Sequence, residues 1–280
     1  MMIDEPAMAI VLIVLAGGFG LITGSFLNVV VWRLPRGESL SHPGSACPHC
    51  GHPIRWWDNV PVLSWLFLRA KCRDCGAPIS RRYPAVELAT GVMFAGVAWW
   101  LLSTISPQAP VAAAIATSLA YFYLASISIA LALIDLDTKR LPNAIVYPAY
   151  IVGAVLLTAS SILSGDLVWL LRAAIGMVAL FVFYLILALI RPGGMGLGDV
   201  KLAGVLGLFL GWLGWGELLV GAFAAFLIGG LFAVILLLSR KAGRRTAIPF
   251  GPWMLVGAWV GVFAGGSILH GYLALFGLGT

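Results

Sequence analysis

The chain has 280 residues, of which 61% are hydrophobic and 10% are charged, and its mean hydropathy is +1.02. Soluble globular domains carry about 25% charged residues. The composition therefore excludes a soluble enzyme, a secreted disulfide scaffold and a disordered chain, and it predicts an integral protein of the lipid bilayer. The net charge of +6 is typical of the basic loops that orient membrane proteins, and we do not expect nucleic-acid binding.

The first predicted element is an apolar run over residues 7–32, which is long enough for one membrane helix of about 20 residues. A polar stretch follows over residues 33–84. It holds all four cysteines, three of the four histidines and eight of the 17 basic residues. A segment of about 50 residues is too short for a robust hydrophobic core, so we expect a metal ion to stabilise it.

The cysteines of this stretch form two Cys-x-x-Cys pairs, Cys47 with Cys50 and Cys72 with Cys75. Four thiolates at this spacing are typical of a closed tetrahedral zinc site. Free buried thiols and a redox pair are the alternatives, and a cytosolic location disfavours structural disulfides. We interpret the stretch as a small cytoplasmic module that binds structural zinc.

Seven further apolar runs complete the chain, and the sixth of the eight is short. They are predicted near residues 86–103, 111–134, 144–163, 167–190, 200–215, 217–239 and 250–275. The predicted fold is an all-α polytopic membrane protein with about eight transmembrane helices and the zinc module between helices 1 and 2. The corresponding domains are the first transmembrane helix at 1–32, the module at 33–85 and a seven-helix membrane domain at 86–280.

The basic residues predict the orientation of these helices. With the N-terminus outside, the cytoplasmic segments contain 16 of the 17 lysines and arginines, and the exception is Arg172. The opposite orientation would place those 16 residues outside, against the positive-inside rule. We therefore expect the zinc module to lie in the cytoplasm.

Two aspartates are predicted at the cytoplasmic face. Asp135 closes the third apolar run, and Asp199 opens the sixth behind Gly196 and Gly198. Carboxylates at the edge of the hydrocarbon are unfavourable and rarely lack a function. Two facing carboxyls that share a proton can activate water and polarise a peptide carbonyl. The alternative is that Asp135 and Asp137 pair with basic residues or lipid headgroups while Asp199 only caps a helix.

Several segments resemble a known family. Residues 196–199, Gly-Leu-Gly-Asp, match the GxGD signature of intramembrane aspartyl proteases, and residues 135–143 resemble the other catalytic segment of type IV prepilin peptidases. Residues 24–35, 59–65 and 81–87 resemble further motifs of the bacterial prepilin peptidases. All of these segments follow the order found in that family.

The resemblance implies a function. Such enzymes cut a short basic leader from type IV prepilins or type II secretion pseudopilins, after a glycine, at the cytoplasmic face of the bacterial inner membrane. Many then methylate the new N-terminal amine with S-adenosylmethionine. The resemblance implies that Asp135 and Asp199 are the catalytic pair, with Gly196 and Gly198 supporting the catalytic loop. The four-cysteine module is similar to that of the longer, bifunctional members, which favours methylation as well as cleavage.

The site of methyl transfer is less closely specified. Asn28, Arg82 and Glu87 match family motif positions beside the zinc module, and we interpret them as candidate residues for substrate or methyl-donor binding. A carboxylate near the start of a helix also has a purely structural use, because it interacts favourably with the helix dipole. Glu87 is therefore a candidate either for ligand binding or for this structural role.

Two other functions fit part of the pattern. An ion-coupled transporter would also use an acidic pair, but it would place the carboxylates near the middle of the membrane. A non-enzymatic scaffold of a secretion machine would need the zinc module but would tolerate substitution of the aspartates.

Overall fold

The structure, a computed structural model, describes residues 5–106, 108–190, 195–239 and 249–277, which form helices and, between the first two long helices, a cysteine-containing module with little regular structure. The α-helices are α1 (Glu5–Arg33), α2 (Leu63–Phe67), α3 (Arg82–Thr104), α4 (Val111–Thr138), α5 (Asn143–Ser164), α6 (Val168–Ile190), α7 (Leu197–Leu213), α8 (Trp215–Leu238) and α9 (Gly251–Ala274). Short 3-10 helices cover Leu34–Arg36 and Trp56–Asn59. Among the described residues, β-structure is limited to two isolated bridges in the cysteine module.

Seven of these helices are long and apolar enough to cross a membrane, namely all except α2 and α7. Helix α7 has 17 residues and therefore rises about 26 Å, slightly less than a hydrocarbon core of about 30 Å. The eight predicted apolar runs correspond to α1 and α3–α9. This confirms the predicted all-α polytopic class.

The helix boundaries differ from the prediction at two functionally relevant places. Helix α3 begins at Arg82, and its first turn includes Pro84, because the first N–H groups of a helix need no intrahelical acceptor. Helix α7 begins at Leu197 rather than near residue 200, so that Gly198 and Asp199 belong to its first turn.

The chain forms two compact units. Unit 1 comprises Met1–Ser106 and Tyr121–Ala130, and unit 2 comprises Pro107–Ala120 and Leu131–Thr280. In unit 1, α1 packs closely on α3, because a Cβ atom at Gly24 would lie 2.7 Å from the Glu87 Cα atom. Small residues allow such close approach of membrane helices. The contact places the C-terminal end of α1 beside Glu87.

Helix α7 forms the centre of unit 2. Twelve of its residues are buried, which include nearly all of those from Val200 to Trp212. Its backbone runs against that of α6, since a Cβ atom at Gly207 would overlap the Gly176 carbonyl. The first turn of α7, which carries Asp199, therefore belongs to a helix that is buried along nearly its whole length.

We expect the substitution Gly207→Ala to destabilise unit 2 by about 1–3 kcal/mol, because the added methyl group would force α6 and α7 apart. Gly230 in α8 is a matched control, since a Cβ atom there meets nothing within 4 Å. Thermal unfolding in detergent should show a lower midpoint for Gly207→Ala and no decrease for Gly230→Ala. Equal midpoints for the two variants would contradict the close α6–α7 contact.

Candidate functional site

The first candidate catalytic residue, Asp135, lies in the last turn of α4 and is 5% exposed. Its Oδ2 atom accepts a hydrogen bond of 3.1 Å from the N–H of Gly251, the first residue of α9. A Cβ atom at Gly251 would lie only 2.7 Å from this oxygen. A glycine therefore lets the start of α9 approach the carboxylate, although 116 positions separate the two residues.

The second candidate, Asp199, is half-buried in the first turn of α7. Its Oδ2 atom accepts a hydrogen bond of 3.1 Å from the Gly196 N–H, so the side chain caps its own helix. The positive end of the helix dipole favours a carboxylate at this position. The neighbouring Gly198 lies against Leu141, because a Cβ atom there would be 3.1 Å from the Leu141 Cβ atom.

The surroundings of these two carboxylates meet at one side chain. Leu141 faces Gly198, which precedes Asp199, and also Gly251, whose N–H donates to Asp135. Asp137, by contrast, is exposed. Two carboxyl groups in mutual range do not both ionise easily, and such a pair can supply one acid and one base.

Residues that the sequence analysis did not single out hold α7 in place. The Lys201 ammonium donates a hydrogen bond of 3.1 Å to Asn143 Oδ1 and lies 5.1 Å from the centre of the Tyr147 ring. The Tyr150 hydroxyl donates to the Lys201 carbonyl at 2.6 Å. These contacts join α5 to the turn that follows Asp199. The position of Lys201 two residues after a candidate catalytic aspartate was the signal available in the sequence.

The four cysteines form one cluster in which all Sγ atoms lie within 4.8 Å of one another. The Sγ atoms of Cys47 and Cys75 are 3.8 Å apart, and a tetrahedral zinc site with Zn–S bonds of about 2.3 Å requires a separation of about 3.8 Å. The cluster can hold a metal ion, and its donor set fits zinc.

The two halves of this cluster repeat one structure. Residues 47–54 and 72–79 share the pattern Cys-x-x-Cys-Gly-x-Pro-Ile. In each half the glycine, Gly51 or Gly76, has a left-handed conformation and donates its N–H to the carbonyl of the first cysteine, at 2.8 and 2.9 Å. An isolated bridge closes each turn. The repeat is readable in the sequence, but our sequence analysis missed it.

An ion pair ties the second half to the segment between the halves. The Arg73 guanidinium donates to both carboxylate oxygens of Asp58, with its shortest contact at 2.6 Å. These hydrogen bonds lower the pKa of the Asp58 carboxyl. The same arrangement orients the 3-10 helix Trp56–Asn59 relative to the second cysteine pair.

Of the residues predicted beside the module, the structure brings Asn28 and Glu87 to one cavity in unit 1. Glu87 is 8% exposed, and its Oε2 atom accepts a hydrogen bond of 2.7 Å from the Val62 N–H. The Asn28 amide donates to the Tyr83 carbonyl at 3.2 Å. Arg82 is exposed in the first turn of α3 and does not line this cavity.

Two protein-family models match the chain. Residues 19–101 match the model of the bacterial peptidase A24 N-terminal domain. Residues 122–234 match the model of the type IV leader peptidase family. The first match includes the cysteine module, and the second includes both candidate aspartates.

Curated relatives resemble the chain over nearly its full length. A prepilin leader peptidase/N-methyltransferase of Stutzerimonas stutzeri is 35% identical over 279 residues, which cover 91% of each chain. Proteins of the same name from Aeromonas hydrophila and Pseudomonas aeruginosa are both 36% identical, and the matches cover 92% of each chain. No solved structure gives a significant match. On the strength of these similarities, the chain belongs to the type IV leader peptidase family.

Proposed function

We propose that the chain is a multi-pass inner-membrane enzyme that cleaves the leader from type IV prepilins or type II secretion pseudopilins and then methylates the new N-terminus. The observation that supports the peptidase assignment is that Leu141 joins the surroundings of Asp135 and Asp199, in a chain of this family. Both side chains lie at helix ends rather than at helix centres. A position at helix ends supports peptide cleavage at a membrane surface, and it disfavours an ion-coupled transporter.

The proposed cleavage uses the two carboxyls as a base and an acid. The ionised carboxyl removes a proton from water, and the water oxygen bonds to the carbonyl carbon of the scissile peptide. The protonated carboxyl of the partner aspartate donates its proton to the carbonyl oxygen. Collapse of the tetrahedral intermediate breaks the C–N bond, and the leaving amine takes up a proton. The exposed Gly196 would leave room for an extended substrate backbone beside Asp199, whereas Gly198 lets Leu141 pack against the first turn of α7.

The proposed orientation has the N-terminus outside and both the cysteine module and the aspartates on the cytoplasmic side. The distribution of 16 of the 17 basic residues supports it. The apolar segment of the substrate would then lie in the bilayer, with its basic leader in the cytoplasm. We keep the division into a first helix (1–32), a module (33–85) and a peptidase domain (86–280) as part of this proposal.

We propose structural zinc as the metal of the cysteine cluster. Cys47, Cys50, Cys72 and Cys75 would fill all four tetrahedral positions, so the ion would have no open position for a substrate. Zinc would hold the two repeated halves of the module together, and the peptide cleavage would not involve it.

The proposed methyl transfer follows cleavage, with S-adenosylmethionine as the methyl donor. The lone pair of the new N-terminal amine forms a bond to the methyl carbon, the carbon–sulfur bond breaks and its electron pair remains on sulfur. The nitrogen then loses a proton. Asn28, Arg82 and Glu87 remain the candidate binding residues from the sequence, and only Asn28 and Glu87 line the cavity of unit 1.

The proposed function is tested by incubating the purified full chain in liposomes with a model prepilin and S-adenosylmethionine. Intact-mass spectrometry should show a product that lacks the leader and carries the mass of one added CH₂ group. A cleaved product without the added mass would contradict the proposed methyltransferase activity. Intact prepilin after incubation with a folded, zinc-containing preparation, for several prepilins, would contradict the peptidase and favour the scaffold function.

A further inference from the structure

Unit 1 contains a cavity of about 530 Å³. Its walls come from the last turns of α1, from the cysteine module and from the first turns of α3. Small-molecule sites have typical volumes of about 300–1,000 Å³. The volume of this cavity lies within that range and is large enough for a nucleoside derivative. The lining does not include the aspartate pair of unit 2.

The carboxylate of Glu87 lines this cavity with only uncharged partners. Its oxygens interact with the Val62 N–H and the Ser25 side chain. The ion pairs among the described residues join other residues of the cavity wall, namely Arg55, Asp58, Arg73 and Asp74, and none includes Glu87. A buried carboxylate without a cationic partner is unfavourable, and a cationic ligand in the cavity would compensate for the desolvation.

Aromatic and amide groups form other parts of the wall. The Trp65 indole N–H donates to the Ile79 carbonyl at 3.1 Å, which fixes the orientation of its ring. Asn28 also lines the cavity, as does Trp32, whose ring is covered on one face by the Arg36 guanidinium at 3.7 Å. Indole rings attract cations and stack on flat bases. The lining therefore suits a ligand that combines a positive charge with an aromatic base.

We propose that this cavity is the binding site of S-adenosylmethionine, with the Glu87 carboxylate as the counter-charge of the ligand. The proposal rests on the methyl transfer proposed above and specifies its location. S-Adenosylmethionine carries a sulfonium, an ammonium and a carboxylate, and its net charge is positive. S-Adenosylhomocysteine, the product, lacks the sulfonium charge. Glu87 would thus favour the methyl donor over the spent product and promote their exchange.

The test measures the binding of both nucleosides to the purified full chain by equilibrium dialysis. Loss of the charged interaction in Glu87→Gln is expected to weaken binding of S-adenosylmethionine by at least about tenfold. Binding of S-adenosylhomocysteine should weaken by less than about threefold, because its sulfur is uncharged. Glu38→Gln removes an exposed, water-screened carboxylate from the same cavity wall. It should change the dissociation constant of neither nucleoside by more than about twofold.

The proposal would be overturned if Glu87→Gln weakened the binding of both nucleosides equally, or if it weakened the binding of neither. Zinc content and the melting temperature verify folding, since a glutamine oxygen still accepts the Val62 N–H. Hydrogen exchange on the unsubstituted chain gives a second readout that requires no variant. S-Adenosylmethionine should slow exchange at residues 25–32 and 83–87, and protection confined to other residues would overturn the site.

The two proposals fail in different ways. A preparation that cleaves prepilin but does not bind S-adenosylmethionine would refute S-adenosylmethionine as the ligand of the cavity, and the peptidase assignment would be unaffected. A preparation that binds S-adenosylmethionine through Glu87 but does not cleave any prepilin would refute the peptidase and leave the cavity assignment intact.

Discussion

Replacing Asp199 by asparagine is expected to reduce kcat for leader cleavage by at least about 10³-fold, since general acid–base groups contribute about 10²–10⁴-fold and the partner carboxyl would lose the group with which it shares a proton. The fold should persist, because the asparagine oxygen can still accept the hydrogen bond that the Gly196 N–H donates to this side chain. Cleavage kinetics, followed by mass spectrometry, measure the loss.

Asp135→Asn should give a loss of similar size, because the two carboxyls act as one unit. Its amide oxygen can likewise accept the Gly251 N–H. Asp137→Asn is the matched control, since this exposed carboxylate lies only two residues away on the same helix. If Asp137→Asn lost as much activity as Asp135→Asn, the result would contradict the aspartate pair and would show that cleavage needs only a negative charge in this region.

Replacing Cys72 by serine is expected to abolish metal binding and to unfold the cysteine module. Structural zinc sites supply an apparent free energy of about 10–16 kcal/mol in zinc-finger peptides at neutral pH. The module, with its few buried residues, has no comparable stabilisation of its own. Elemental analysis should show about one zinc per unsubstituted chain and almost none in the variant, and limited proteolysis should cut the variant within the module.

His52→Ala is the control for this prediction, because the cluster already supplies four thiol ligands without a histidine. It should retain zinc and resist the protease. A strong chelator should reproduce the Cys72→Ser phenotype in the unsubstituted chain. Retention of zinc by Cys72→Ser, or loss of zinc in the histidine variant, would contradict the four-cysteine assignment.

Much of the fold was predictable, because uninterrupted apolar runs of membrane length have few alternatives to helices in a bilayer. The errors fall at helix starts. Pro84 and Gly198 are usual breakers within a helix, but both belong to first turns here, where no intrahelical hydrogen bond is lost. Hydropathy does not register such turns, since their residues are polar or small.

The candidate site was predictable only in part. The sequence places Asp135 and Asp199 at the ends of two helices, but it contains no sign that Gly251 would donate a hydrogen bond to the first of them. The polar partners of Glu87 depend equally on tertiary packing, because Val62 lies 25 positions away. Contacts over such separations follow from the assembly of helices and loops, which periodicity in one segment does not encode.

The most direct test of the central claim gives the Asp199→Asn protein two substrates, an intact prepilin and a mature-length pilin with a free N-terminal amine, each with S-adenosylmethionine. We predict that the prepilin stays uncleaved while the mature pilin gains one methyl group, because the aspartate pair serves cleavage and methyl transfer is assigned to unit 1. Methylation also shows that the variant is folded. Cleavage of the prepilin at the unsubstituted rate would contradict the account.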